Sequence, residues 1–174
     1  MAPELNGPDP VAARLAGIGL ELPPRATPPA GMRLTYRRIV RAGDVAYLAG
    51  HLPMWGEEVR HRGRVGLDIP LAEGVEAARL CALSMLRTIR DELGRLDLVT
   101  GWLRVNGYVR GVEGFEGQPA VLNGFTDLVE QLWGETGLPS RSAVGVAELP
   151  LGVCVEVDAV VQLVARPLQT FATL

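Results

Sequence analysis

The stretch LAEGVEAARLCALSMLRTIRDEL, residues 71–93, constrains this chain more than any other. Leu71, Val75, Ala78, Ala82, Met85, Leu86, Ile89 and Leu93 fall on one helical stripe, and Gly94 supplies a stop. A helix with so long an apolar stripe needs a partner layer, and the flanking sequence offers strands. Before it, YRRIVRAGDVAYLAGHLP (36–53) holds two β-rich runs around Ala42-Gly43-Asp44, a turn signal with glycine free to take positive φ. This predicts a hairpin with Val45, Tyr47 and Ala49 on one face and Ala46 and Leu48 on the other. Residues 54–69 are polar, Gly-rich and basic, and read as a loop with one short strand at most. After the helix, VTGWLRVNGYV (99–109) alternates Trp102 and Arg104 against Leu103 and Val105, a strand. A second helix is predicted over 119–133, with Val121, Phe125, Leu128, Val129 and Leu132 inward. SAVGVAELPLGVCVEVDAVVQLV (142–164) then reads as two strands around a short turn.

The order β-β-α-β-α-β-β predicts an α+β two-layer sandwich, a mixed sheet with two helices on one face. The other face has no helices of its own, and a second subunit is the economical cover. Composition agrees: the 174-residue chain is 48% apolar but only 5% aromatic, so Val, Leu and Ala leave apolar surface for an oligomer to hide. Seventeen Lys and Arg against 20 Asp and Glu give −3, which leaves no global basic field for nucleic acid. No apolar run is long enough for a membrane span. The start, with Glu4 and Asp9, does not read as a signal peptide. Cys81 and Cys154 form no disulfide framework, and His51 and His61 have no Cys partners at zinc spacing. A reduced, cytoplasmic protein is expected.

Residues 1–35 read as an extension, 36–165 as the domain, and 166–174 as a tail. Pro3, Pro8, Pro10, Pro23, Pro24, Pro28 and Pro29 crowd the extension. Between them residues 11–22 suggest one short amphipathic helix bearing Val11, Leu15 and Ile18.

The last predicted pair of strands carries the chemistry. In the final one Val153, Val155, Val157, Ala159, Val161 and Leu163 share the core face, and Cys154, Glu156, Asp158, Val160 and Gln162 the other. In the strand before it Arg141, Ala143, Gly145 and Ala147 share a face. A two-residue turn at Leu149-Pro150 would pair 143 with 156 and 141 with 158. Arg141 and Glu156 would then be same-face diagonal neighbours, ~7–8 Å apart. A four-residue turn would move them apart, and an odd-length loop would separate their faces. An arginine fork matches a substrate carboxylate, and a nearby carboxylate can hold a water and shuttle its proton. Read without function, the pair is an exposed strand-face ion pair, with Asp158 as the simple partner of Arg141.

The same segment, PSRSAVGVAELPLGVCVEVDAVV, resembles the C-terminal signature of the RidA/YjgF family. These are the reactive-intermediate deaminases also called L-PSP endoribonucleases. Tyr36, Gly43, YLAGHLP, GLDIPLAEGVEAARLCALSML and the helix beginning near QPAVLNGF fit as well, so the resemblance covers about residues 20–165. It looks closest to a longer bacterial branch with an N-terminal extension. It implies a chorismate-mutase-like fold assembled as a homotrimeric barrel, with sites in the clefts between subunits. The implied activity is hydrolysis of small enamine/imine intermediates, as in 2-iminobutanoate/2-iminopropanoate deaminases, to 2-oxo acids and ammonia. No cofactor or metal is implied. By resemblance Arg141 grips the substrate carboxylate and Glu156 positions the water. Tyr36 reaches the site from the neighbouring subunit, Gly50 and Asn123 line it, and Ala143 stands where many members have Cys. Ala49 and His51 stand where the deaminases commonly have Ser and Gln. A non-catalytic trimer that binds a small carboxylate-bearing metabolite is the main rival, and a ribonuclease or translation inhibitor the weaker one. His51 invites a general-base reading beside a structural one, Cys154 a reactive-thiol reading, and the arginines of EEVRHRGRVG an RNA-contact reading beside a solvated loop.

Overall fold

The computed structural model describes residues 7–25 and 35–165, so Pro3, Pro28, Pro29 and the 166–174 tail lie outside the described residues. The extension contributes helix α1, Pro10–Gly17. Asp9 caps it, its Oδ1 accepting from the backbone N–H of Val11 and Ala12 at 3.0 Å each. Val11 and Leu15 are buried, whereas Ile18 is exposed. The helix ends at Gly17 with Ile18 as its cap, so Ile18 leaves the predicted stripe.

Strands β1 (Ile39–Ala42) and β2 (Val45–His51) form the predicted hairpin. Gly43 takes the positive φ, 63°, that the first central position of so tight a turn requires. Ala46 and Leu48 are buried and Tyr47 is exposed, the predicted alternation. Residues 54–69 hold two short strands, β3 (Met54–Trp55) and β4 (Glu58–Val59), paired only with each other. Helix α2 spans Leu71–Leu93 and stops at Gly94 with φ 87°. Strand β5 (Val99–Arg110), helix α3 (Gln118–Trp133), β6 (Ser140–Val146) and β7 (Val155–Leu163) follow.

The main sheet has the order β1-β2-β7-β5-β6, with α2 and α3 over one face. Helix α3 carries the chain from β5 to β6, and a helical crossover of that kind makes the two strands parallel. Strand β7 slots between β2 and β5, antiparallel to both. The expected final hairpin is therefore absent, because β5 lies between β6 and β7. Residues 147–154 are a cross-sheet link rather than a turn, and its tight Pro150–Gly152 segment puts Leu151 at φ 57°.

The alternation expected in β5 is also broken. Register shifts between Val99 and Gly101 and between Trp102 and Arg104 insert extra residues. Trp102 and Val105 consequently share the core face, while Leu103 is exposed. Trp102 packs edge-on against Phe125 and Trp133. Met85, Leu86, Ile89, Phe125, Leu128 and Leu132 are all but fully buried, each worth about 1.5–3 kcal/mol of transfer free energy. The helices come close at Gly124, where an added Cβ would overlap the carbonyl of Val75. Among the described residues no helix is long and apolar enough to cross a membrane.

Candidate active site

Two clusters contain the six residues singled out from sequence. The first lies on the helix side of the edge strand β6. Arg141 is the register partner of the buried Val105, so it points toward α3. Its Nη1 donates to Thr126 Oγ1 at 2.8 Å, and its Nη2 to Asn123 Oδ1 at 2.8 Å and to the Pro119 carbonyl at 3.2 Å. Pro119, Asn123 and Thr126 are spaced along one face of α3, which makes the helix a rail for the guanidinium. Three of its five N–H donors are thereby oriented. Ala143, two residues on, is partly buried against the core.

The second cluster lies around the β2–β7 pair. Glu156 is the register partner of Tyr108, on the sheet face away from the helices, and it is half-buried. Desolvation, followed by the charge of Asp158, raises its carboxyl above the ordinary range. Gly50 lies within a register shift of β2, between Leu48 and His51, and a Cβ there would collide with Glu156 Oε1. Only glycine leaves the carboxylate its place. Tyr36, exposed, and Gly50 both border a cavity of about 120 Å³ at this end of the sheet.

A polar chain that sequence reading did not find extends over the same open face. Asp158 accepts from Tyr108 Oη at 2.9 Å and from Asn106 Nδ2 at 2.8 Å. Arg104 Nε donates to Asn106 Oδ1 at 3.0 Å, and Arg104 Nη2 to Ser142 Oγ at 2.5 Å. Its signal was present as polar residues at alternate positions of β5 and β7. Thr126 was missed as well; it is a buried polar residue on an otherwise apolar helix face.

Arg141 and Glu156 thus sit on opposite faces of the sheet, on strands separated by β5. The same-face pairing expected from a hairpin fails because the hairpin does not form. Asp158, bound to Tyr108 and Asn106, is not the partner of Arg141. Cys154 also departs from expectation: it is buried in the core, and desolvation pushes its thiol up to about 12. Cys81 is buried, with its thiol near the Val155 carbonyl at 3.8 Å, and burial pushes its pKa up too. Neither supplies a thiolate near neutral pH. His51 is buried with both ring nitrogens engaged, Nδ1 with the Ala49 carbonyl at 2.7 Å and Nε2 with Thr88 Oγ1 at 2.8 Å. Burial lowers its pKa to about 4, so it is a neutral structural side chain. In the 54–69 segment Arg60 pairs with Glu58 and Arg64 with Asp68, as in a solvated loop. No group of three or more His, Cys, Asp or Glu among the described residues could hold a metal ion.

A mixed sheet with two helices on one face and a polar chain on the other defines the class, an α+β sandwich of the RidA type. Residues 28–163 match the family model described as Endoribonuclease L-PSP, and the chain belongs to this family, the RidA/YjgF proteins. It is 38% identical over 154 residues to Protein TCP17 of Trypanosoma cruzi, covering 88% of this chain and 94% of that one. The crystal structure of Atu1372, a protein of unknown function from Agrobacterium tumefaciens, superposes with a TM-score of 0.79 at 33% identity, covering 88% and 92% of the two chains. RidA from an Antarctic Psychrobacter shares the fold, with a TM-score of 0.53 at 23% identity over 80% of this chain and 94% of its own.

Proposed function

We propose that this protein is a hydrolytic deaminase of 2-imino acids and their enamine tautomers, with each site built from two copies of the chain. The observation that carries the reading is the separation of Arg141 from Glu156. One chain offers a carboxylate clamp on one sheet face and a proton-handling carboxylate on the other, so a second copy must bring them together. A homotrimer, as the family resemblance implies, places three such sites at its seams and also covers the open sheet face.

In that site Arg141, held by Thr126 and Asn123, binds the substrate carboxylate and fixes C2 beside the Glu156 of another copy. Glu156 accepts a proton from a water as its oxygen adds to C2. Glu156 returns that proton to the nitrogen of the carbinolamine formed from the protonated imine. As the C–N bond breaks, the hydroxyl proton passes to the freed Glu156 carboxylate, so that ammonia and a 2-oxo acid leave. The raised pKa of Glu156 suits a group that must both take and give a proton. Imines already hydrolyse in water, so orientation and one activated water suffice. The two buried, free thiols fit a reducing cytoplasm.

Ala143 and Ala49, with their bare methyl groups, favour a second reading, a trimer that binds a small carboxylate without turning it over. Arg141→Ala in an assay coupled to an amino acid oxidase separates the two. The deaminase reading predicts that accelerated imine hydrolysis is lost. Undiminished acceleration would overturn it, and binding without acceleration in the wild type would favour the second reading.

A further inference from the structure

We propose that His51 and Thr88 are positioning residues, a clasp that ties the end of β2 to α2 and so holds Gly50 against the Glu156 carboxylate. This rests on the reading of Glu156 as the group that handles the proton. The clasp begins in a register shift. Leu48 pairs with Ala159 and His51 with Val157, so Ala49 and Gly50 both stand against the single residue Asp158 of β7. Without the extra residue, alternation from the buried Leu48 would put His51 on the open face and Gly50 on the helix side. With it, the imidazole turns to α2 and Gly50 turns to Glu156.

The contacts fix how the imidazole is protonated. A carbonyl oxygen only accepts, so Nδ1, at 2.7 Å from the Ala49 oxygen, carries the hydrogen. Nε2 is then the acceptor and takes the Thr88 hydroxyl at 2.8 Å. Both residues are buried, and burial keeps the ring neutral, with the Arg38 charge acting in the same direction. One ring therefore closes the bulge onto its own main chain and fastens it to a helix packed into the core. Packing alone leaves slack here. A cavity of about 120 Å³ borders Gly50, His51 and Thr88, and β3 and β4, which follow, add no strand to the main sheet.

The clasp acts on Glu156 through the main chain. Thr88 and the imidazole lie on the helix side of the sheet and Glu156 on the open side, where Tyr108 is its register partner and Asp158 its neighbour on β7. The link between the two sides is the single step from His51 to Gly50. Gly50 brings backbone rather than a side chain to the wall that keeps water from the carboxylate. Desolvation is the larger cause of the raised Glu156 carboxyl, ahead of the charge of Asp158. Slack in the bulge readmits water on this side and leaves the carboxylate less fixed. Arg141, on another strand and the other face, keeps its hold on the substrate carboxylate. A loosened clasp therefore lowers the Glu156 pKa and kcat while sparing KM.

The test compares the wild type with T88V, T88S and the control I89V. Ile89 follows Thr88 in α2 and is fully buried, so I89V lowers stability without removing a hydroxyl. Three readouts are taken: the Glu156 titration by carbon NMR of the labelled carboxyl, the His51 tautomer by nitrogen shifts, and kcat and KM for imine hydrolysis. The wild-type ring should carry its hydrogen on Nδ1 at neutral pH. T88V should lower the Glu156 pKa by about half a unit or more and kcat about tenfold, with KM held within about twofold. T88S, which keeps the hydroxyl, should restore both, and I89V should leave both at wild-type values. A hydrogen on Nε2 instead, or I89V matching T88V in pKa and kcat, overturns the clasp. The tautomer is read in the wild type, so it decides even where a variant does not fold. If the titrations follow this pattern while no imine is accelerated, the clasp stands and the deaminase reading falls. If imines are accelerated and T88V moves neither the Glu156 pKa nor kcat, the deaminase reading stands and the clasp falls.

Discussion

Arg141 shows how much a single residue's role depends on its neighbours. Its identity was legible in the motif, but its direction was not, because direction follows from pairing with β5 across a parallel ladder. Thr126, which holds it, was invisible among the apolar residues of α3. Losing a hydrogen bond to a charged group costs about 1.5–3 kcal/mol, so T126V should raise KM for imine hydrolysis roughly tenfold or more while kcat falls less. An equal loss in kcat at unchanged KM would contradict a positioning role. Glu156 shares its face with Asp158 and Tyr108, and Asp158 helps to hold its pKa up. Removing that negative charge lowers the pKa, so in D158N the acidic limb of the kcat/KM profile should move to lower pH. A limb that stays in place or moves upward would contradict it. His51 follows the opposite rule for its sign. Its folded pKa is depressed to about 4, so its contribution is present above the unfolded value and lost as pH falls. The wild type should lose roughly 2 kcal/mol in urea unfolding between pH 7 and pH 5 from this group, and H51Q should lack that loss.

Elements were legible where a single period runs unbroken. Helix α2 matches its expected bounds, and α3 differs only at its first residue, because their stripes are long and their ends are marked. The β1–β2 hairpin was equally plain from Gly43. Strand β5 was misread in its faces because a bulge changes the period without changing composition. Strands β6 and β7 were misread as a pair because Leu149-Pro150 resembles a turn, while the true partners lie far away in sequence. Nothing local distinguishes an edge-to-centre crossing from a hairpin. The helix pair has a tight point at Gly124, against the Val75 carbonyl. G124A should force the helices apart and cost about 1–3 kcal/mol, read as a lower melting temperature. A neutral result would mean that the α2–α3 contact is looser than its geometry.

At the scale of the whole molecule, the open sheet face was the feature best read from sequence, since the element order leaves it without helices. Which side chains occupy that face was less legible; the resemblance implied sites between subunits, but the separation of Arg141 from Glu156 within one chain was not legible. It emerges only from strand order: β5 stands between the strand of Arg141 and the strand of Glu156. A site completed between copies has a consequence that no single-chain site shares. R141A and E156Q chains are each expected to be inactive alone, but a mixed assembly joins the Arg141 of one to the Glu156 of the other. Co-expressed in equal amounts, purified through two different tags so that only mixed trimers remain, and assayed for imine hydrolysis, they should recover about one third of wild-type activity. Activity no higher than that of either parent would contradict a site shared between copies.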